Sequence, residues 1–161
     1  MDEGKYAEYA RKGEYVAIVW DELDDLSWLK ETTPERGLDD LKKKCKITFP
    51  KSSAVGVGLT SAQIFNFVIR LKRGDIILTP TDGKVLLGEV TGEYFYVKTP
   101  EDGCPFSNRR SVDWKKEVPK DRLSERLSLL FTLGKRFLAW KLIPSKSISY
   151  SEERLPLQYR K

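Results

Sequence analysis

Three parts of one stretch decide the fold: Arg73-Gly74-Asp75-Ile76-Ile77-Leu78, then Gly88-Glu89-Val90-Thr91-Gly92-Glu93-Tyr94-Phe95-Tyr96, then Arg109-Arg110-Ser111-Val112-Asp113-Trp114-Lys115-Lys116-Glu117-Val118-Pro119. The first is a Gly-Asp turn followed by an apolar run. The second carries two glycines and ends in three aromatic residues, and the third alternates basic and apolar residues until a proline. We therefore predict strands at about residues 75–80, 84–97 and 109–115.

The segment before this stretch has the patterns of two helices and one strand. Residues 5–12 are typical of a short helix, and residues 15–20 of a strand. Pro34 can open a helix that continues through Lys46. We expect this helix to lie in an insertion that ends at Pro50.

A third helix is expected just before the strands. Residues 51–59 have the small, flexible composition of a loop, so Thr60 or Ser61 is the natural N-cap. Its apolar residues recur at helical spacing and would pack on the sheet: Ile64, Phe65, Val68, Ile69 and Leu71. After the strands, Arg136–Leu142 could form either a final strand or a helix.

The order of these segments resembles the EVE, YTH and wider PUA-like barrels, most closely the N-terminal domains of McrB-type and Mrr-type modification-dependent restriction proteins. The opening segments Gly4–Tyr9, Tyr15–Trp20 and Asp24–Ser27 follow the same family order, so the resemblance covers roughly residues 4–142. It implies an α+β fold, a PUA-like small β-barrel with flanking helices, over residues 1–143. Residues 144–161 would then be a polar extension or linker.

The resemblance also implies a function. Such a domain is the non-catalytic DNA-specificity part of a McrB-like restriction protein, and it reads a flipped, modified base in an aromatic pocket. Its partner would be DNA, methylated or not, or RNA. In the full-length protein it would be linked to an AAA+ GTPase motor that acts with a nuclease subunit. No cofactor is expected.

The pocket residues can be assigned by position in the resemblance. Trp20 matches the tryptophan after the first strand, and Tyr94, Tyr96 and Phe106 come from the segment that completes or borders the pocket. Stacking on such rings contributes about 1–3 kcal/mol per base. Asp21 and Asn108 are candidates for hydrogen bonds to the base edge. The chain departs from many relatives at Val19 and at Ser107-Asn108-Arg109, where glycine and histidine are common.

The charge distribution favours a phosphate-bearing partner. The chain has 29 Lys and Arg against 24 Asp and Glu, a net charge of +5. Basic residues gather in short clusters, and we assign backbone contacts to Lys72, Arg73, Arg109 and Arg110. The cluster Lys42–Lys46 is interpreted as a solvated helix surface.

Several kinds of site are disfavoured by what the sequence lacks. There is no histidine and there are only two cysteines, Cys45 and Cys104, which argues against a zinc site and a Ser-His or Cys-His nucleophile. Asp82 and Glu89 could imitate nuclease carboxylates, but Thr91 stands where that pattern needs lysine. Asp82-Gly83 is better explained as a hairpin turn. We therefore expect no enzymatic activity in this domain.

Two other functions remain open. The same basic and aromatic residues would serve a PUA-like RNA-binding protein. An aromatic patch could also meet another polypeptide, which would make the domain a protein-interaction module. The apolar runs are too short for a membrane-spanning helix, and Met1-Asp2-Glu3 is unlike a secretory signal, so a cytoplasmic location is expected.

Overall fold

The structure, a computed structural model, describes residues 6–81 and 83–122. Three α-helices and four strands form in these residues: α1 (Ala7–Lys12), β1 (Tyr15–Ile18), α2 (Pro34–Thr48), α3 (Ala54–Phe65), β2 (Ile76–Pro80), β3 (Lys84–Tyr96) and β4 (Asn108–Pro119). Short 3₁₀ turns cover Asp21–Leu23, Ser27–Glu31 and Lys120–Arg122, and a π-helical turn, Asn66–Arg70, extends α3. The α+β class and the three strands predicted after residue 73 are confirmed.

The four strands form one antiparallel sheet in the order β1-β4-β3-β2. The sheet is open within the described residues, since β1 and β2 lie at its two edges. The described part of the chain therefore does not form the closed barrel that the sequence suggested. The predictions for Arg136–Leu142, for Asp82 and for residues 144–161 fall outside the described residues.

Alternating residues of the sheet contribute to two separate cores. Val16 and Ile18 of β1 point to one face and Tyr15 and Ala17 to the other, as strand geometry requires. The first core cluster joins the sheet to α2 and α3, and its largest buried side chains include Phe65, Phe67, Leu23 and Leu41. The second core cluster is smaller and consists of Ala10, Tyr15, Ala17 and Cys104, with Tyr6 and Phe106 packed against it.

The start of α3 is where the sequence-based prediction was wrong. Residues 54–59 are helical rather than a loop, and the N-cap is Ser53, whose Oγ accepts a hydrogen bond from the Gly56 amide at 3.1 Å. Ser61 is instead buried in the helix and donates to the Val57 carbonyl at 2.8 Å. Two glycines, at 56 and 58, weaken the helical preference of this segment, but burial of Val57 against the first core cluster compensates for that.

The position of this cap can be tested by two matched substitutions. Ser53→Ala should lower the free energy of unfolding by about 1 kcal/mol, because it removes the acceptor for an orphan amide of α3. Thr60→Ala lies inside the helix and should be neutral or slightly stabilising. Urea unfolding of both variants measures the difference, and a larger loss in Thr60→Ala would contradict the observed start of α3.

A bulge in β3 shapes the part of the sheet next to the π-helical turn. Val90 pairs with Val112 and Tyr94 with Arg110, so three residues of β3 stand opposite Ser111 alone. A Cβ on Gly92 would lie 2.8 Å from the Ser111 Cβ, which explains a glycine at this point. Bulges and π-helical turns both occur often beside functional sites, and here they are neighbours.

None of the helices among the described residues is long and apolar enough to cross a lipid bilayer.

Candidate nucleic-acid interface

A basic cavity of about 390 Å³ opens between the π-helical turn and the bulge of β3. It is lined by Lys30, Val68, Ile69, Leu71, Lys72, Arg73, Gly92, Glu93 and Arg110. Three of these, Lys72, Arg73 and Arg110, are basic residues that the sequence assigned to phosphate contact. We refer to this site as the basic cavity.

A fixed turn presents Lys72 and Arg73 at the cavity. The Lys72 amide donates to the Asp75 carboxylate at 2.8 Å, and the Asp75 amide donates back to the Lys72 carbonyl at 3.1 Å. Gly74, with φ of 87°, adopts the left-handed conformation, and its amide donates to the Val90 carbonyl at 2.9 Å. The backbone is therefore held at both ends of the turn, while Lys72 and Arg73 stay exposed.

Arg110 is the buried cation of the cavity. Only 4% of the residue is exposed. Its two terminal nitrogens donate to the carbonyls of Leu71 and Val68, the second at 3.0 Å, and so satisfy the end of the π-helical turn. Its Nε is buried and has no hydrogen-bond partner. Burial lowers the pKa of the guanidinium, but an arginine remains charged under any physiological condition.

Lys30 reaches the same cavity from the 3₁₀ turn Ser27–Glu31. Its Nζ donates to the Glu93 carboxylate at 3.0 Å and to the Tyr94 carbonyl at 3.1 Å. The hydrogen bond from Lys30 is the main cause of the lowered pKa of Glu93. The cavity thus contains four cationic side chains and one carboxylate.

Tyr94 lies beneath this site and is buried, with its hydroxyl fully engaged. The hydroxyl donates to the Asn108 Oδ1 at 2.7 Å and accepts from the Leu26 amide at 3.0 Å. Burial raises the pKa of this phenol well above its ordinary value. Tyr94 therefore connects β3 and β4 to the turn that contains Leu26.

Asp21 and Asn108 belong to the same buried network. The Asp21 carboxylate accepts from the Ser107 amide at 2.7 Å and from the Asn108 side-chain amide at 3.5 Å. Burial raises the pKa of Asp21, although these hydrogen bonds partly oppose the shift. In the described structure both side chains bind other parts of the protein, and contact with a base edge would require them to exchange partners.

The predicted aromatic residues divide between the two faces of the sheet. Trp20 and Tyr96 are half-buried and pack against the first core cluster, to which Tyr94 belongs. Tyr96 pairs with Asn108, which in turn pairs with Ile18, two residues before Trp20. Phe106 instead packs against the second core cluster, with its ring 5.4 Å from that of Tyr6 in an edge-to-face arrangement. Trp20, Tyr94 and Tyr96 therefore belong to the side of the sheet that carries the first core cluster, and Phe106 belongs to the other side.

The Arg109 side chain lies on the face of the sheet that carries the second core cluster, where other groups of the protein bind it. It forms a two-pronged ion pair with Asp102, at 2.7 and 2.9 Å, and donates to the carbonyls of Phe106 and Cys104. Its guanidinium stacks on the Tyr15 ring at 4.1 Å. Arg109 and Arg110 are adjacent in sequence, yet only Arg110 lines the basic cavity.

Lys30, Gly92 and Glu93 were missed by the sequence-based assignment. Lys30 and Tyr94 are 64 residues apart in the sequence, and no local pattern indicates a contact over that separation. The paired lysines of α2 behave differently: Lys42 and Lys43 bind Asp39 and Asp40 one turn earlier on the same helix. No group of three or more potential metal ligands occurs within residues 6–81 and 83–122.

The described residues define an α+β domain, in which their antiparallel sheet is open and carries a basic cavity on its helix-covered face. The chain belongs to the family described as a domain of unknown function, DUF8426, whose family model matches residues 2–131. No curated protein and no solved structure matches this chain.

Proposed function

We propose that this chain is a non-catalytic nucleic-acid-binding domain, PUA-like and of EVE or YTH type, that serves as the DNA-specificity module of a McrB-like restriction protein. The observation that carries the proposal is the basic cavity, where Lys30, Lys72, Arg73 and Arg110 meet. Residues from three distant segments converge there, and clustered cations on a fixed scaffold are what phosphate recognition needs.

The second part of the proposal concerns the base. Trp20 and Tyr96 lie at the end of the sheet where β1 stops, on the face that carries the basic cavity. Tyr96 lies two residues beyond Tyr94, a rise of about 7 Å along β3. A strand whose phosphate occupied the cavity could therefore bring a neighbouring base to these rings. Extrusion of that base costs a few kcal/mol, which stacking can offset.

The role in a larger protein follows from the resemblance alone. The domain itself would recognise the DNA, and an AAA+ GTPase motor in the same polypeptide, acting with a nuclease subunit, would supply the chemistry. The barrel is likewise what the resemblance implies, since the sheet of the described residues is open.

Binding measured by fluorescence anisotropy tests this function. The probes are matched duplex DNAs, either unmodified or carrying methylated adenine or methylated cytosine, and RNA of the same sequence. We expect tighter binding to one methylated duplex and a loss of that gain, by roughly tenfold, in Trp20→Ala, since one stacked ring contributes about 1–3 kcal/mol. Phe95→Ala is the matched control, because Phe95 is exposed and, as its neighbours Tyr94 and Tyr96 share a face, lies on the opposite one.

Two results would count against this proposal. Equal binding to every duplex, with RNA preferred, would favour a PUA-like RNA-binding protein. Weak binding to every nucleic acid would favour a protein-interaction module.

A further inference from the structure

We infer that the basic cavity is a site for a phosphomonoester, the doubly charged terminal phosphate of a nucleic-acid strand. The inference rests on the proposed function for the source of this phosphate, and it specifies which phosphate the cavity selects. A bridging phosphate inside a continuous strand carries one negative charge, whereas a terminal phosphate carries about −1.5 to −2 at neutral pH.

The charge of the cavity fits the terminal group better. Lys30, Lys72, Arg73 and Arg110 supply four positive charges, and Glu93 supplies one negative charge. Part of this excess is close to the protein interior, because Arg110 is almost fully buried. Charges in such surroundings interact more strongly than they do in bulk water, so a second negative charge on the ligand gains more here than at an exposed patch.

The size of the cavity points in the same direction. Its volume of about 390 Å³ is at the lower end of the range for small-molecule pockets. The turn Leu71–Asp75 bounds it on one side and the bulge at Gly92 on another, and both are fixed by hydrogen bonds or close packing. A recess of this size with two fixed sides has room for a terminal phosphate at the end of a strand.

Arg110 supplies a buried positive charge to the lining of the cavity. The residue is 4% exposed, and its Nε is a buried donor without a partner. The terminal nitrogens of Arg110 donate to the neutral carbonyls of Val68 and Leu71, so its positive charge remains for a phosphate oxygen in the cavity.

Glu93 acts as a competitor for the ligand. Its carboxylate forms an ion pair with Lys30. Because the Glu93 side chain is 82% exposed, it can turn into solvent when a phosphate binds Lys30 in its place. Removal of this carboxylate should therefore favour the phosphate. Glu93→Gln keeps the size of the side chain and removes only the charge.

The test compares end-labelled single strands of one sequence that end in a 5′-phosphate, a 3′-phosphate or hydroxyl groups only. We expect at least a tenfold gain in affinity for one of the phosphorylated strands over the hydroxyl strand. Lys72→Ala should remove most of the gain, and Glu93→Gln should enlarge it by about threefold or more. The backbone hydrogen bonds of residue 72 are retained by alanine, and Lys46→Ala, an exposed lysine of α2 outside the cavity, is the matched control.

A second measurement separates this inference from the proposed function. Adenosine 5′-monophosphate should raise the Tm of the wild type more than adenosine does, and Lys72→Ala should abolish the difference. Strand binding without any effect of a terminal phosphate would overturn the inference and leave the nucleic-acid proposal intact. A Tm shift by the monophosphate with no strand binding would overturn the strand end as the source and assign the cavity to a free nucleotide. No effect in either measurement would overturn the inference altogether.

Discussion

Replacing Arg109 with alanine is expected to lower the free energy of unfolding by about 2–3 kcal/mol, because Arg109 is a buried hydrogen-bond donor although its partner Asp102 is partly exposed. Arg109 is 4% exposed and binds Asp102 with both terminal nitrogens. Its loss would also leave the buried carbonyl of Cys104 without a donor and remove the stacking on Tyr15. Arg36→Ala is the control, because its pair with Asp40 spans 3.7 Å at the surface and should contribute under about 1 kcal/mol.

Urea unfolding at several pH values measures this effect and tests its cause. The hydrogen bonds from Arg109 are the main reason that the pKa of Asp102 falls from 3.8 to about 2. A carboxyl whose pKa is lowered by folding stabilises the folded state at every pH above its pKa in the unfolded chain. This contribution is lost as the pH falls from about 4 towards 2. The difference in stability between wild type and Arg109→Ala should shrink over this interval. A constant difference, or a loss below 1 kcal/mol at neutral pH, would contradict the structural role.

Removing the hydroxyl of Tyr94 is expected to cost about 2–3 kcal/mol, since Tyr94→Phe leaves two buried groups unsatisfied. These are the Leu26 amide, which now donates to the hydroxyl, and the Asn108 Oδ1, which accepts from it. The ring itself would still pack edge-to-face on Phe67. The loss would therefore come from the hydrogen-bond network rather than from a cavity.

Tyr96→Phe provides the matched control, because Tyr96 is half-buried on the same face of β3. We expect a change within about 0.5 kcal/mol for this variant. Nucleic-acid affinity measured well below the Tm should be unchanged in Tyr94→Phe, since the hydroxyl is enclosed by the protein. A large loss of affinity in the folded Tyr94→Phe variant would instead assign Tyr94 to the binding surface.

Arg109 and Tyr94 show how the candidate site in the structure differs from the site predicted from the sequence. The sequence identified candidate site residues by their type, and all of them fall within the described residues. Tyr94, Asn108 and Asp21, however, are linked to one another, while Arg109 is bound to Asp102. The basic cavity, by contrast, is open to a ligand, and the rings of Trp20 and Tyr96 are half-buried rather than fully enclosed.

The sequence by itself determined the parts of the fold that depend on local pattern. The alternation in β3 put Tyr94 and Tyr96 on one face because successive strand residues point in opposite directions. Pro34 opened α2 as predicted, because a proline fits the first helical turn and its missing amide is not needed there. The apolar spacing after Ser61 likewise predicted most of the buried residues of α3 and its extension. It missed Phe67, which is fully buried, and Ile69 is only half-buried.

Only the tertiary structure decided the start of α3, the openness of the described sheet and the composition of the cavity. A glycine-containing segment is helical because Ser53 caps it and Val57 packs against the first core cluster, and no local propensity carries the second of these. Arg109 and Arg110 have the same charge and adjacent positions, yet the pleat of β4 sends one to Asp102 and the other to the basic cavity. Lys30 lies beside Arg110 in the cavity although the two residues are far apart in the sequence. Contacts between such distant segments are set by packing rather than by local sequence pattern.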